Sequence, residues 1–466
     1  WLKPVWLRAS RATSLPSFPS ASSRCVCRPA MGLCESCQAQ TGQVGSSKAA
    51  PKEKAIYTGP SVWITSNGFE SETQWVHFIQ QLLKRKGVLA PEDESASVTR
   101  QALVTKYADT IKTLKMTYIN DASFHRPEHL MAAGRDRTNP KHWFWWDNGM
   151  EDMMGLPREN IAMIQILEKP WLFNRAGRLA NHDRSEPNVS ELDPADEKKY
   201  FAALQLTQDA YNALKEKPPQ VGAGQAGKKL PGCPASGLSC ADELAEVSSA
   251  LNEKYKDALD RWCTEYIDGS DFICGQGGEV VMLNMAWQCN QVVAGRLVDA
   301  VRSNKTVYLG LSASSMVAAK SMEMTGEIEP GWIEAFSAHS KHLNRDHFDE
   351  NDLDGDGTAL NVLGALPLFE SPLAMRPHYS EAWEAEVLKK NLEAEKECEH
   401  EAGIEIDDEV VAKSNDGVEA ALRLLNLISS AGNKQDNPVF VPLRNGRAFE
   451  VNIYSNPHRE VFTVRN

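Results

Sequence analysis

An apolar run, Thr306-Val307-Tyr308-Leu309, enters Gly310-Leu311-Ser312-Ala313-Ser314-Ser315 and leaves through a helix-like run, Met316 to Met322. Strand, tight turn and helix in immediate succession force a sharp reversal of the backbone, with a serine on the bend. A bend of this kind sits at the carboxyl end of a strand in a sheet flanked by helices, so this one segment points to an α/β architecture. It departs from the usual G-x-S-x-G spacing at one place. Ser314 stands where the second glycine is expected.

The rest of the chain alternates in the same way. Ser61-Val62-Trp63-Ile64-Thr65 reads as a strand followed by a turn at Asn67-Gly68, and Trp75 to Leu83 has helical spacing. Strands are expected at Leu114–Ile119 and Ile161–Leu167. An amphipathic helix is expected at Tyr200–Leu214, and long helices at Cys240–Tyr266 and Glu279–Val301. Asp271-Phe272-Ile273-Cys274 is a strand running into Gly275-Gln276-Gly277-Gly278. Val439–Leu443, Asn445-Gly446 and Ala448–Asn452 carry a hairpin signal. The alternation predicts a mainly parallel sheet with helices on both faces, whose active edge is formed by the carboxyl ends of the strands. Both glycine-rich turns fall at that edge.

Composition sets limits. Hydrophobic residues make up 42% of the 466, enough for a sizeable core. The formal net charge of -13 argues against a nucleic-acid surface, which needs a basic field. No apolar run approaches the ~20 residues of a membrane span. Ten cysteines without a second C-x-x-C to complete Cys34 and Cys37 read as reduced thiols in an intracellular setting, cytoplasmic or membrane-associated.

Residues 1–56 read as a disordered segment. Residues 1–34 lack Asp and Glu but contain Arg8, Arg11, Arg24 and Arg28, a composition that fits a transit peptide, and hence an organelle, or a translated leader. With Met31 as the start, Gly32 becomes the myristoylation candidate, with Ser36 at the required position and Cys34 and Cys37 as palmitoylation candidates. Peripheral membrane association would follow from two such chains.

A serine nucleophile needs a base, an acid to orient that base, and N–H donors for an oxyanion. Among eleven histidines, His378 stands out in Arg376-Pro377-His378-Tyr379, directly after the apolar run Leu366–Phe369. Most of the others have plain explanations: His77 lies on a helix, His125, His129 and His142 in polar loops, and His339, His342 and His347 in an acidic segment.

Three motifs now stand in order: Gly275-Gln276-Gly277-Gly278-Glu279, then Gly310-Leu311-Ser312-Ala313-Ser314, then Pro377-His378-Tyr379. Together they resemble the serine peptidase family of dipeptidase E (aspartyl dipeptidase) and cyanophycinase, which shares the flavodoxin-like fold of class I glutamine amidotransferases. The resemblance covers residues 268–380 and the terminal Leu443–Ala448, and is faint at Thr65–Gly68. It implies a flavodoxin-like three-layer sandwich with a C-terminal β-hairpin over residues 57–466, carrying insertions at about 120–235 and 333–362. It implies Ser312 as nucleophile, His378 as general base, and backbone N–H groups of Gly277 and Ala313 as the oxyanion hole. Glu327 fits the dipeptidase position for the acid, and Glu384 or Glu386 that of the cyanophycinase branch. Arg376 is the basic residue nearest in sequence for an acidic substrate. The implied activity is hydrolysis of a peptide or isopeptide bond in a peptide substrate, with no cofactor. The alternative is a catalytically silent, peptidase-like binding or scaffold protein held at a membrane.

Other motifs have plainer readings. Asp352, Asp354 and Asp356, with Gly357 at the sixth position, start a calcium-type loop. Its twelfth position is Leu363 instead of a bidentate Glu, so an acidic surface loop is the competing reading. Gly222–Lys229 imitates a phosphate loop without its Ser/Thr and reads as a linker. Lys141–Trp146 is an aromatic cluster suited to a core or subunit contact.

Overall fold

The computed structural model describes residues 57–95, 97–123, 145–173, 177–178, 193–216, 240–278, 280–319, 321–324, 360–363, 366–377, 417–431, 439–443, 446–455 and 458–465. In chain order these form β1 (Ser61–Thr65), α1 (Glu72–Arg85), α2 (Arg100–Lys106), α3 (Ala108–Ile111), β2 (Met116–Ile119), α4 (Trp145–Met154), β3 (Ile161–Ile164), α5 (Pro170–Phe173) and β4 (Gly177–Arg178). Then come α6 (Pro194–Glu216), α7 (Cys240–Lys254), α8 (Lys256–Cys263), β5 (Phe272–Gly275), α9 (Val280–Cys289), α10 (Gln291–Arg302), β6 (Val307–Leu311) and α11 (Ala313–Ala318). The remaining elements are β7 (Ser321–Met324), β8 (Leu360–Leu363), β9 (Leu373–Pro377), α12 (Gly417–Ala431), β10 (Val439–Leu443), β11 (Ala448–Ser455) and β12 (His458–Arg465).

Among the described residues, eight strands form one sheet in the order β12-β11-β1-β6-β5-β2-β3-β4. The run from β1 through β6, β5 and β2 to β3 is parallel, while β11, β12 and β4 pair antiparallel. The protein is therefore an α/β fold on a mixed, mostly parallel sheet. A four-stranded sheet, β10-β9-β7-β8, stands apart from it. Alternate residues of each central strand feed two clusters of buried side chains: Val62, Ile64, Ile119, Ile273 and Tyr308 join one, Trp63, Tyr118, Cys274 and Leu309 the other. Strands buried on both sides lack a polar face, which accounts for their continuous apolar runs. No helix among the described residues is long and apolar enough to cross a membrane.

Local chemistry fixes the ends of the elements. Ser71 caps α1, and Gln74 returns the bond to the backbone N–H of Ser71, a capping box legible as S-x-x-Q. The side chain of Gln81 joins α1 to the sheet by accepting from Trp63 Nε1 (2.6 Å) and donating to Ser61 Oγ (2.8 Å) and Glu450 Oε1 (2.7 Å). Glu450 is buried on β11 and is held by Arg465 of β12.

Four expectations are corrected. The strand expected over Ile161–Leu167 stops at Ile164, because the buried Asp121 carboxylate accepts the N–H groups of Ile166 and Leu167 (both 2.8 Å) and bends the chain there. The helix expected over Glu279–Val301 breaks at Asn290, which is fully buried. Its side chain donates to Ala286 O (2.8 Å) and accepts from Lys169 Nζ (2.5 Å), competing with the helical ladder. The helix expected over Cys240–Tyr266 breaks at Tyr255, whose hydroxyl accepts from Asp193 N and donates to Asp196 at the start of α6, and it ends in a wide π-turn over Thr264–Asp268. Val439–Leu443 and Ala448–Asn452 do not form a hairpin. The first lies in the smaller sheet beside β9, and the second, as β11, pairs with β1 and with β12. The terminal hairpin is β11–β12, with Ala448 opposite Arg465. The span 120–235 also contributes β3, which pairs with β2 in the main sheet.

Candidate active site

The carboxyl end of β6 lies between β1 and β5, with Thr65 opposite Leu311 and Gly275 opposite Gly310. One residue further on, Ser312 has φ 43° and ψ -110°, and α11 begins at Ala313. A non-glycine residue in this region is strained by roughly 1–3 kcal/mol and is held there only by its surroundings. Ser312 is partly exposed, whereas Ala313, Ser314 and Ser315 are buried. The bend therefore presents one serine outward and turns the next two inward.

The inward serines clamp the bend from both sides. Ser315 Oγ donates to Thr65 O (2.8 Å) and accepts from Thr65 N (3.3 Å), while Ser312 N also donates to Thr65 O (3.0 Å). Thr65 Oγ1 donates to Gly310 O (3.0 Å) and accepts from Gly68 N (3.0 Å), so the Thr65–Gly68 turn is fastened to the same bend. On the other side, Ser314 Oγ donates to Gln276 O (2.6 Å), and Tyr308 Oη donates to Ser314 O (3.0 Å). Gln276 N in turn donates to Ile119 O (2.9 Å), which binds the glycine-rich turn to β2.

Three glycines make this close packing possible. A Cβ on Gly275 would lie 2.4 Å from Ser314 Oγ, and one on Gly310 would lie 3.0 Å from Ser314 O. A Cβ on Gly277 would lie 2.9 Å from Ser312 Cβ and 3.6 Å from Ser312 Oγ, so bare backbone faces the exposed serine. Gly278, at φ 142°, lies against Ala122 O after β2.

Of the residues proposed from sequence, Ser312, Ala313 and Gly277 are brought together at this edge. The backbone of Arg376 lies in β9, and Pro377, which precedes His378, ends that strand. β9 packs against α11, and the approach to it runs along that helix through Leu366 N to Val317 O (3.1 Å) and Leu368 N to Ala318 O (3.0 Å). His378, Glu327, Glu384, Glu386, Asp352, Asp354, Asp356, Gly32 and Cys34 lie outside the described residues. Among the described residues, no group of three or more His, Cys, Asp or Glu side chains could hold a metal.

Burial sets the electrostatics of this edge. It raises the Tyr308 hydroxyl above its ordinary value, so Tyr308 stays a neutral donor to the bend. It raises the Cys274 thiol well above its ordinary value, which leaves that buried sulfur un-ionised and unsuited to be a nucleophile. Asp121 is pushed up to about 7 by burial, against the N–H groups of Leu167 and Ile166 that favour its charged form. His77 is pulled down to about 4 by burial and by Arg465, and is neutral at pH 7.

The roles of Ser314 and Ser315 as struts of the bend, and of Asp121 in ending β3, were not legible in the sequence. Their signal was faint: small hydroxyl residues crowding a bend, and a carboxylate directly after a strand. Neither a scan against protein-family models nor a search of curated proteins matched the chain.

Proposed function

We propose that the protein is a serine-type hydrolase that cleaves a peptide or isopeptide bond through an acyl-enzyme on Ser312. The observation that carries this reading is the backbone of Ser312, held at positive φ between β6 and α11 with its side chain partly exposed. Strain of this kind needs an explanation, and a partly exposed nucleophile at the carboxyl edge of the parallel strands supplies one.

In this reading His378 takes the proton from Ser312 Oγ as that oxygen attacks the scissile carbonyl carbon. Glu327 orients the imidazole. The carbonyl oxygen gains negative charge and is met by the N–H groups of Gly277 and Ala313. Collapse breaks the C–N bond, and His378 returns the proton to the departing amine. Water, deprotonated by the same imidazole, then releases the acid and regenerates Ser312. Two features support these roles: the close approach of Gly277 to Ser312, and the position of Pro377 at the end of a strand packed on α11. A flavodoxin-like three-layer arrangement, similar to dipeptidase E and cyanophycinase, is part of the same proposal. Arg376 is its candidate for an acidic substrate group.

A fluorophosphonate probe tests it. Labelling of the full chain is expected, lost in Ser312→Ala and reduced at least a hundredfold in His378→Ala. A wild type that does not label, or labelling that survives in Ser312→Ala, makes the protein a peptidase-like binding module instead.

A further inference from the structure

The opposite edge of the main sheet carries a second feature. A cleft of about 400 Å³ opens among the end of α1, the amino ends of β5 and β6, and the segment entering β1. Its walls carry Lys84, Arg85, Lys86 and Lys305 against one carboxylate, Asp271. In a chain of net charge -13 this is a local reversal of sign.

The charges are not all spoken for. Lys84 is bound by Glu94, and Lys86 by Asp271 (2.5 Å). Asp271 also accepts from Lys115 N (2.8 Å), so it ties β5 to the start of β2. Arg85 and Lys305 remain. Arg85 Nη2 donates to Asn304 O (2.7 Å), but Nη1 is shielded from solvent and has no hydrogen-bond partner. Asn304 Oδ1, in the same wall, also has none. Among the described residues Lys305 reaches only Asp268, at 3.9 Å, and Asp268 already binds Arg296. A buried donor without a partner is destabilising, and more so when it is charged. Burial accordingly lowers the Arg85 guanidinium from its ordinary value, with Asp271 opposing.

A helix carboxyl end ordinarily repels anions through its free carbonyls. Here three of the last four carbonyls are taken. Lys86 N donates to Leu82 O (3.1 Å), Gly87 N to Lys84 O (2.9 Å) and Val88 N to Leu83 O (3.2 Å). What the end of α1 offers to the cleft is therefore its basic side chains.

We infer that this cleft is a binding site for a phosphoryl dianion, with Arg85 and Lys305 as its two cationic ligands. The planar guanidinium suits phosphate oxygens, and the exposed Lys305 closes over them as a point charge. The volume admits a phosphoryl group with a small organic body. The site is distinct from Ser312, since the length of β5 alone separates the two edges by about 13 Å.

Calorimetric titration of the full chain at low salt tests this, with inorganic phosphate and phenyl phosphate as probes. Saturable binding to wild type is expected, weakened about tenfold or more in Arg85→Gln and in Lys305→Gln, and unchanged in Ser312→Ala. Tighter binding of phenyl phosphate would identify an ester as the ligand, and equal binding the free anion. Lys305 is half exposed and, among the described residues, makes only the distant Asp268 ion pair, so Lys305→Gln keeps the fold and carries the test if Arg85→Gln unfolds. No saturable binding to wild type, or equal affinity in wild type and Lys305→Gln, overturns the inference. Loss of binding in Ser312→Ala would overturn the separation of the two sites.

Discussion

The side chain of Ser314 occupies the space that the absent side chain of Gly275 leaves open. Its hydroxyl lies 2.4 Å, and its Cβ 2.6 Å, from where a Cβ on Gly275 would stand. That hydroxyl also donates to Gln276 O, one residue along the same turn. The serine found where a second glycine was expected is thus a strut between two turns, paired with a glycine on the neighbouring strand.

This relationship predicts a coupling. Gly275→Ala is expected to destabilise the fold by about 2 kcal/mol through overpacking. Ser314→Gly is expected to cost about 1 kcal/mol, because Gln276 O loses its donor. Combined, the two should cost less than their sum. The recovery is partial, since Tyr308 Oη also lies 2.7 Å from the new Cβ. Urea unfolding of the four proteins measures the coupling, and additivity would show that the two residues do not share the space.

Strain at Ser312 predicts an order among its variants. Glycine adopts φ 43° freely, whereas alanine does not. Ser312→Gly should therefore be more stable than Ser312→Ala by about 1–2 kcal/mol, with labelling absent from both. Equal unfolding midpoints would mean that the bend stores no strain.

Much of this was legible in the sequence, for a physical reason. Strands buried on both sides must be apolar throughout, so β1, β2, β5 and β6 were readable as runs. The bend at Ser312 was readable because an extended run and a helical run cannot meet there without one. The rest was set by contacts distant in sequence. The Asn290 side chain bonds locally to Ala286 O, but Lys169, far along the chain, recruits it as well. Nothing local to Ile164 ends a strand; Asp121, in the turn that follows β2, does so. The terminal strands pair as they do because β11 has β1 on its other side, a partner at the far end of the chain.

Gly278 supports the turn that brings Gly277 to Ser312. Its φ of 142° and the 2.7 Å approach of Ala122 O leave no room for a side chain. Gly278→Ala is expected to cost about 2–3 kcal/mol through backbone strain and a clash. If Gly277 forms part of the oxyanion hole, the same variant should label at least tenfold more slowly under conditions where it remains folded. An unchanged rate with a lowered unfolding midpoint would leave Gly278 structural and remove Gly277 from the chemistry.

Lys169 predicts a pH dependence away from the candidate site. It is fully buried at φ 51° and donates to Asn252 Oδ1 (2.9 Å), Asn290 Oδ1 (2.5 Å) and Ser248. The rings of Trp171 and Tyr200 lie 5.0 and 5.3 Å from Nζ. Three neutral acceptors match the three N–H groups of an ammonium, but none of them is a carboxylate, and burial pulls the amine from 10.5 down to about 7, opposed weakly by Cys289. Below about pH 7 the amine is protonated folded and unfolded, and the burial cost is felt in full. Between about 7 and 10.5 the unfolded chain binds the extra proton, so this group's contribution to stability rises with pH. At about 1.4 kcal/mol per pKa unit the rise is on the order of a few kcal/mol. Tyr200 ionises well above its ordinary value and stays neutral across that window, while Asp121, raised from 3.8 to about 7, titrates below it with the opposite sign. Urea unfolding from pH 7 to 10 should show the rise in wild type and a flattened profile in Lys169→Met. A wild-type slope that persists in the variant would assign the effect to another group.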